Sequence, residues 1–283
     1  MKLRDKMIQK MTIRNYSQLT IRSYVSAVKA LAAFYKRSPD TLQGEEVIGY
    51  LYHEFTEKKL AINTMRGKIA GIRYFYHEVL GRTEIDFHIP IPRREKALPE
   101  FWSLEEIQKL LNAAYDPRFK TMILCCYAAG LRRYEVVKLR VDDIDSQNST
   151  LWVRRGKGKK DRAALLTPTL LKALRQYWVQ RKPGIWMFPS WDDPRKPISA
   201  RGFSTAFRVI CKQAGLTKEA GIHGLRHSFA THLIAHGTDI YTVQKLLGHS
   251  KLSTTQIYVH MSQGLILSKS QNLDLLTEEN LNI

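Results

Sequence analysis

The chain has 283 residues, 44% of them hydrophobic and 10% aromatic, with a net charge of +19 and a pI near 9.9. That apolar content excludes a disordered polycation, so the charge sits largely on the surface of one or two folded domains and the expected partner is a polyanion. No window approaches the roughly 20 apolar residues of a membrane span, and the opening MKLRDKMIQK lacks the apolar core of a signal peptide, so a cytoplasmic protein with no membrane partner is expected.

Both parts of the chain are basic: residues 1–99 hold 18 Lys+Arg against 10 Asp+Glu, a net +8, and the remainder 27 against 16, a net +11. Two parts that face one anionic ligand together fit this distribution better than a neutral enzyme with a cationic tail, and nucleic acid fits best. Cys125, Cys126 and Cys211 form no CxxC pair and lie in apolar stretches that read as helix, so they are expected to be reduced core residues.

In chain order, residues 1–88 read as helices only, a small bundle with cationic faces. TIRSYVSAVKALAAFYKR mixes basic and apolar positions. In NTMRGKIAGIRYFYHEVLG the stripe Met65, Ile69, Ile72, Tyr76 and Val79 follows steps of four and three, with Asn63 as a cap and Gly81 after the end. Arg66, Lys68 and Arg73 stay off that stripe and are candidate DNA-binding residues. Three prolines and a basic run in IPIPRREKALP make 89–99 an extended linker, leaving 100–283 as the second domain.

After the linker, Ser103 and Glu106 form a capping box for a helix carrying Leu104, Ile107 and Leu111. TLWVRRG and DRAALL flank GKGKK and predict a β-hairpin with its tip at Gly156 to Lys160. Further helices are predicted at 167–180, 199–214, 225–236, 239–247 and 253–260. The expected fold is therefore mostly α with a small β-hairpin or sheet in the second domain.

HGLRHSFATHL, residues 223–233, places His223 and Arg226 three apart at the start of what reads as an amphipathic helix. Taken alone, these groups could be a solvated helix edge. His223 and His227 have the i, i+4 spacing of a zinc pair, but no Glu follows the first His and no compact Cys, Asp or Glu set completes a site, so no metal is expected. Three other stretches alter the balance. AAGLRRYEVVKLR sets Arg132 and Glu135 three apart after a glycine, GKGKKDR holds Lys157 at the hairpin tip, and LLGHSKLSTTQIYVH puts His249 nine residues before Tyr258.

With these residues in this order, the chain resembles the tyrosine recombinases of the phage-integrase superfamily, with the compact two-domain layout of Xer-type and integron-type members. The family pattern is Arg, a hairpin Lys, His-x-x-Arg, His or Trp, then Tyr, and it falls on Arg132, Lys157, His223 with Arg226, His249, and Tyr258. The resemblance implies an N-terminal SAM-like core-binding domain and a catalytic domain that close as a C-shaped clamp on double-stranded DNA carrying a specific recombination site. It also implies a homotetramer, alone or with a second recombinase, a Holliday junction between two strand exchanges, and no cofactor. The one departure noted is alanine in AAGLR where the family commonly has threonine.

The residue types suit the chemistry. Two guanidiniums hold the non-bridging oxygens of a phosphodiester in planar, bidentate fashion and favour the more charged phosphorane, which assigns Arg132 and Arg226. A phenol near pKa 10 needs help to attack at neutral pH. By resemblance Tyr258 is the nucleophile, His223 the general base and Lys157 the acid for the leaving 5′-oxygen. His249 hydrogen-bonds the phosphate or positions the tyrosine, and Glu135 holds Arg132. Arg155, Lys159 and Lys160 are expected to touch DNA phosphates. The plainer alternatives are a helix ion pair for Arg132 and Glu135, backbone contact for Lys157, and a packing role for Tyr258 beside Ile257. A type IB topoisomerase and a DNA-binding regulator are the rival functions. The apolar tail LILSKSQNLDLL resembles a segment that docks on a neighbouring protomer in relatives.

Overall fold

The protein is described by a computed structural model over residues 2–82, 98–154 and 161–268, with the side chains of 267 and 268 left out. These residues form two compact units. The linker residues 89–97, the tip residues Arg155, Lys157, Lys159 and Lys160, and the tail from 269 onward lie outside the described residues.

The first unit is a helical bundle: α1 (Leu3–Ile13), α2 (Gln18–Tyr35), α3 (Gly44–Thr56) and α4 (Ile62–Tyr74). Ser17 caps α2, its hydroxyl accepting the Thr20 amide at 3.1 Å. Helices α2 and α4 cross at Gly71, where a Cβ would stand 2.9 Å from the Tyr24 Cα, so the glycine permits the close approach. The whole predicted stripe of α4 is buried, from Met65 to Val79.

Two details of that helix differ from expectation. Asn63 is not its cap: Ala61 takes the N-cap position, and its carbonyl accepts the amides of Thr64 and Met65. Packing of the stripe, not a side-chain cap, sets where this helix begins. At its other end the backbone widens into a π turn over Phe75–Val79, which brings Phe75, Tyr76 and Val79 all into the core, and Gly81 follows at φ +73°.

The second unit opens with the predicted capping box, Ser103 with Glu106, at the start of α5 (Leu104–Ala113). Ile107 and Leu110 face the core and Leu111 is partly buried, whereas Leu104, the first residue of the helix, is 54% exposed. Then come α6 (Pro117–Ala128) and the short α7 (Arg133–Val137). The predicted hairpin strands are β2 (Thr150–Val153) and β3 (Arg162–Leu165), antiparallel, and a two-residue β1 (Ile144–Asp145) adds a third strand with Ile144 opposite Leu151.

Helices α8 (Pro168–Arg181), α9 (Ala200–Gln213) and α11 (Ile240–Leu247) start one residue after Thr167, Ser199 and Asp239, whose side-chain oxygens accept the first free amides. Helix α10 (Gly221–Ala235) begins before the expected 225 and is not amphipathic: it is the central helix of the unit, buried on nearly every side. Helix α12 (Gln256–Ser268) follows a 3-10 turn at Leu252–Thr254 and runs past the expected end at 260, packing along α10. Cys125 and Cys126 are fully buried, Cys211 partly, and burial pushes the Cys125 thiol up to about 12. Among the described residues no helix is long and apolar enough to cross a membrane.

Candidate active site

The site is organised around one buried carboxylate. Glu135, in the first turn of α7, folds back so that Oε2 accepts the Arg132 amide and Oε1 accepts its guanidinium, both at 2.8 Å. Arg162, the first residue of β3, donates to Glu135 Oε2 at 2.7 Å, and the Arg226 guanidinium of α10 stands 3.8 Å from the same oxygen. The side chains of Arg132, Arg162 and Arg226 are 22%, 12% and 1% exposed, and that of Glu135 7%. Three guanidiniums against one carboxylate leave a surplus of positive charge in a place largely shut from water.

Arg226 is fixed in its place. It donates to the carbonyls of Gly130 and Leu247 at 2.6 Å each, and lies 3.2 Å from His249 Nε2. Burial, and then repulsion from Arg132, pull its pKa down to about 9. Burial alone would raise the Glu135 carboxyl, but Arg162, Arg132 and Arg226 together hold it below the usual range. Gly248, at φ +64°, ends α11 just where Arg162 passes: a Cβ there would meet the Arg162 Cδ at 2.4 Å.

Because arginine only donates, the His249 Nε2 accepts, which leaves Nδ1–H for the Thr255 hydroxyl at 3.0 Å. The His249 ring stacks on Tyr258, with centroids 6.2 Å apart and planes 15° apart. Tyr258, near the start of α12, is 2% exposed and packs among Phe229, Leu247 and Met261. Its hydroxyl lies 3.0 Å from Nδ1 of His227. Burial raises the phenol pKa, and Arg226 and Arg132 pull the other way.

His223 stands one turn before His227, the rings 4.5 Å apart and edge to face. Burial, then Arg226 and Arg132, hold the His223 imidazole below its usual pKa, which favours the neutral form. Arg132 and His223 also line a cleft of about 550 Å³ together with Arg133, Tyr134, Ser204 and Arg208.

The structure thus brings together Arg132, Glu135, His223, Arg226, His249 and Tyr258 among the residues singled out from the sequence. Of the cations expected to face DNA in the first unit, Arg66 is exposed and Arg73 half-buried, but the Lys68 ammonium is bound to the buried Glu54. Two residues of the site were not expected there. Arg162 is in phase along β3 with the buried Ala164, so an inward-facing arginine was its available signal. His227 entered only as half of a zinc pair, and its Nδ1 is instead engaged with Tyr258. Among the described residues no group of three or more His, Cys, Asp or Glu is placed to hold a metal ion.

Comparison with known proteins agrees with this architecture. The pattern of the phage integrase family matches residues 100–264, and that of the phage integrase N-terminal SAM-like domain matches residues 3–86. A putative integrase/recombinase, y4qK, of Sinorhizobium fredii is 37% identical over 275 residues, 97% of this chain and 89% of the relative. Tyrosine recombinase XerD of Listeria innocua is 32% identical over 270 residues, 88% of this chain and 90% of the relative. In fold, the chain is similar to a lambda integrase dimer bound to a COC′ core site, with a TM-score of 0.74, 19% identity, and 93% and 95% of the two chains covered. The chain therefore belongs to the phage integrase family, the tyrosine recombinases, whose members cut and rejoin DNA strands.

Proposed function

We propose that this protein is a site-specific DNA recombinase that breaks and rejoins strands through a 3′-phosphotyrosine at Tyr258. The observation that carries the reading is the buried surplus of guanidinium around Glu135, next to two imidazoles and a phenol of the same chain. Such a pocket is preorganised for a phosphate whose negative charge grows during attack. Arg132 and Arg226 hold the non-bridging oxygens, and Glu135, itself bound by Arg162, sits against both arginines. The Tyr258 oxygen forms the bond to phosphorus, His223 takes its proton, and the 5′-oxygen leaves with a proton from Lys157. His249 positions the Tyr258 ring. The 5′-hydroxyl of another strand then reverses the step, so no external energy source is required.

The ligand is double-stranded DNA, bound largely through its phosphates by both basic units, with Arg66, Arg73, Arg155, Lys159 and Lys160 as contributors. A lambda integrase bound to a core site and XerH bound to difH substrate are structural relatives that support this partner. Four protomers on two sites make the active synapse, with a Holliday junction between the two exchanges. Residues 1–88 serve as the core-binding domain and 100–283 as the catalytic domain, joined by the 89–99 linker.

Incubation with nicked suicide duplexes, followed by denaturing gels, tests the reading. A covalent adduct confined to preferred sequences and absent in Tyr258→Phe is expected. Adducts at many unrelated sequences would instead indicate topoisomerase IB behaviour, and no adduct on any duplex, the native site included, would indicate a DNA-binding regulator. On the same gels Lys157→Ala should cleave slowly with an oxygen leaving group and far better with a 5′-bridging phosphorothiolate, whose sulfur needs no proton. Equal defects on both substrates would remove Lys157 from the acid role.

A further inference from the structure

We infer that His227 is a positioning residue that holds the Tyr258 hydroxyl at the arginine pocket, an inference that rests on the reading of Tyr258 as the nucleophile. A phenol hydroxyl buried among Phe229, Leu247 and Met261 requires a hydrogen-bond partner, because an unmet polar group there is costly. His227 Nδ1 supplies one at 3.0 Å. Burial, His223 and Arg226 keep that imidazole neutral, its pKa pushed down to about 4, while burial keeps the proton on the phenol. The phenol is the more acidic donor and the imidazole nitrogen the better acceptor, so the hydroxyl donates to Nδ1 and the His227 proton resides on Nε2.

The placement follows from α10. That helix is buried on nearly every side, so its register is fixed, and Arg226 and His227 are adjacent in it. Arg226 therefore joins the Glu135 cluster while the next residue faces α12, and the His227 ring lies 5.6 Å from the Tyr258 ring. The His249 ring covers one face of the phenol and His227 holds its tip. A nucleophile restrained at two points has already given up the freedom that an untethered side chain would lose on reaching the phosphorus. His223, whose ring touches that of His227, acts as the base once the hydroxyl swings off Nδ1 to meet the phosphate.

Three substitutions separate an acceptor at the Nδ1 position from simple filling of space. The amide oxygen of His227→Asn reaches about where Nδ1 lies, that of His227→Gln reaches where Nε2 lies, and His227→Phe offers no acceptor. Single-turnover cleavage of a suicide duplex should fall on the order of 10²-fold in the Phe and Gln variants and recover most of that loss in the Asn variant, with DNA affinity unchanged in all three. The Asn and Gln pair keeps the test decisive even where the Phe variant folds poorly. Cleavage by the Phe or Gln variant at the wild-type rate or faster, or an Asn variant no better than Gln, would overturn the inference. An adduct formed by Tyr258→Phe would instead overturn the nucleophile assignment, whatever the His227 variants do.

Discussion

Each unit of the molecule buries one glutamate among cations, and the two differ in where the surplus charge goes. Glu54 of α3, its side chain 1% exposed, is held by Lys58 and Lys68, whose side chains are 55% and 21% exposed. There the excess charge is lapped by water and the arrangement does no more than tie α3 to α4. Glu135 is held by guanidiniums of which the most exposed is at 22%. Burying cations that outnumber their counterion costs stability, and the depressed Arg226 pKa registers that cost. The contrast separates a pairing that serves the fold from one whose surplus charge suits an anion. The choice of residue agrees: lysine is a compact point charge, whereas arginine presents the planar fork that suits a phosphate.

The contrast is broken most severely at Arg226. Arg226→Lys should lower single-turnover cleavage by about 10²- to 10³-fold, because one ammonium cannot reach the Gly130 and Leu247 carbonyls and also present two parallel donors. An unchanged rate would remove the distinction between the two clusters. Next come the carboxylates themselves. Glu135→Gln leaves buried guanidiniums without their counterion and should cost about 3–5 kcal/mol in chemical denaturation, together with most of the cleavage activity. Glu54→Gln should cost about 1–3 kcal/mol and leave cleavage intact, since Lys58 can turn to solvent. A Glu54 variant that lost cleavage as fully as the Glu135 variant would show that the clusters do not differ in role.

Acid sharpens the same comparison. Both carboxyls are held below their usual 4.5 in the folded protein, so their contribution is fully present above that pH. It is lost as pH falls through the lowered folded values, because the unfolded chain binds the proton first. Each Gln variant should therefore lose less stability than wild type on acidification below 4.5. The smallest effect concerns His223, which burial and two arginines hold below 6.5. The acid limb of kcat/KM, which reports the free enzyme, should lie below pH 6.5. An acid limb above 6.5 would take His223 out of the base role.

Much of this was legible in the sequence, for identifiable reasons. Capping oxygens at Ser103, Thr167, Ser199 and Asp239 act on amides within a few residues, so those helix starts are local facts. The order of Arg132, His223, Arg226, His249 and Tyr258 was readable as a motif, and the structure brings those residues together. Helix α10 was misread as amphipathic because Arg226, Ser228, Thr231 and His232 are buried within the unit, which periodicity cannot tell from facing water. His227 looked like half of a metal pair for the same reason: i, i+4 spacing fixes a helix face, not the partner opposite it. Strand alternation turns Arg162 inward, but its partner Glu135 lies 27 positions away and that of Lys68 lies 14 away, so no local pattern names either partner.

The central claim, that the buried cationic pocket exists to serve attack by one phenol on a phosphate, is tested most directly by locating the covalent bond. Adduct trapped on a suicide duplex would be digested with nuclease and protease, and the nucleotide-bearing peptide sequenced by mass spectrometry. The account predicts a 3′-phosphoryl nucleotide on Tyr258 and on no other residue. A nucleotide carried by a different side chain, with Tyr258 unmodified in the trapped species, would contradict it.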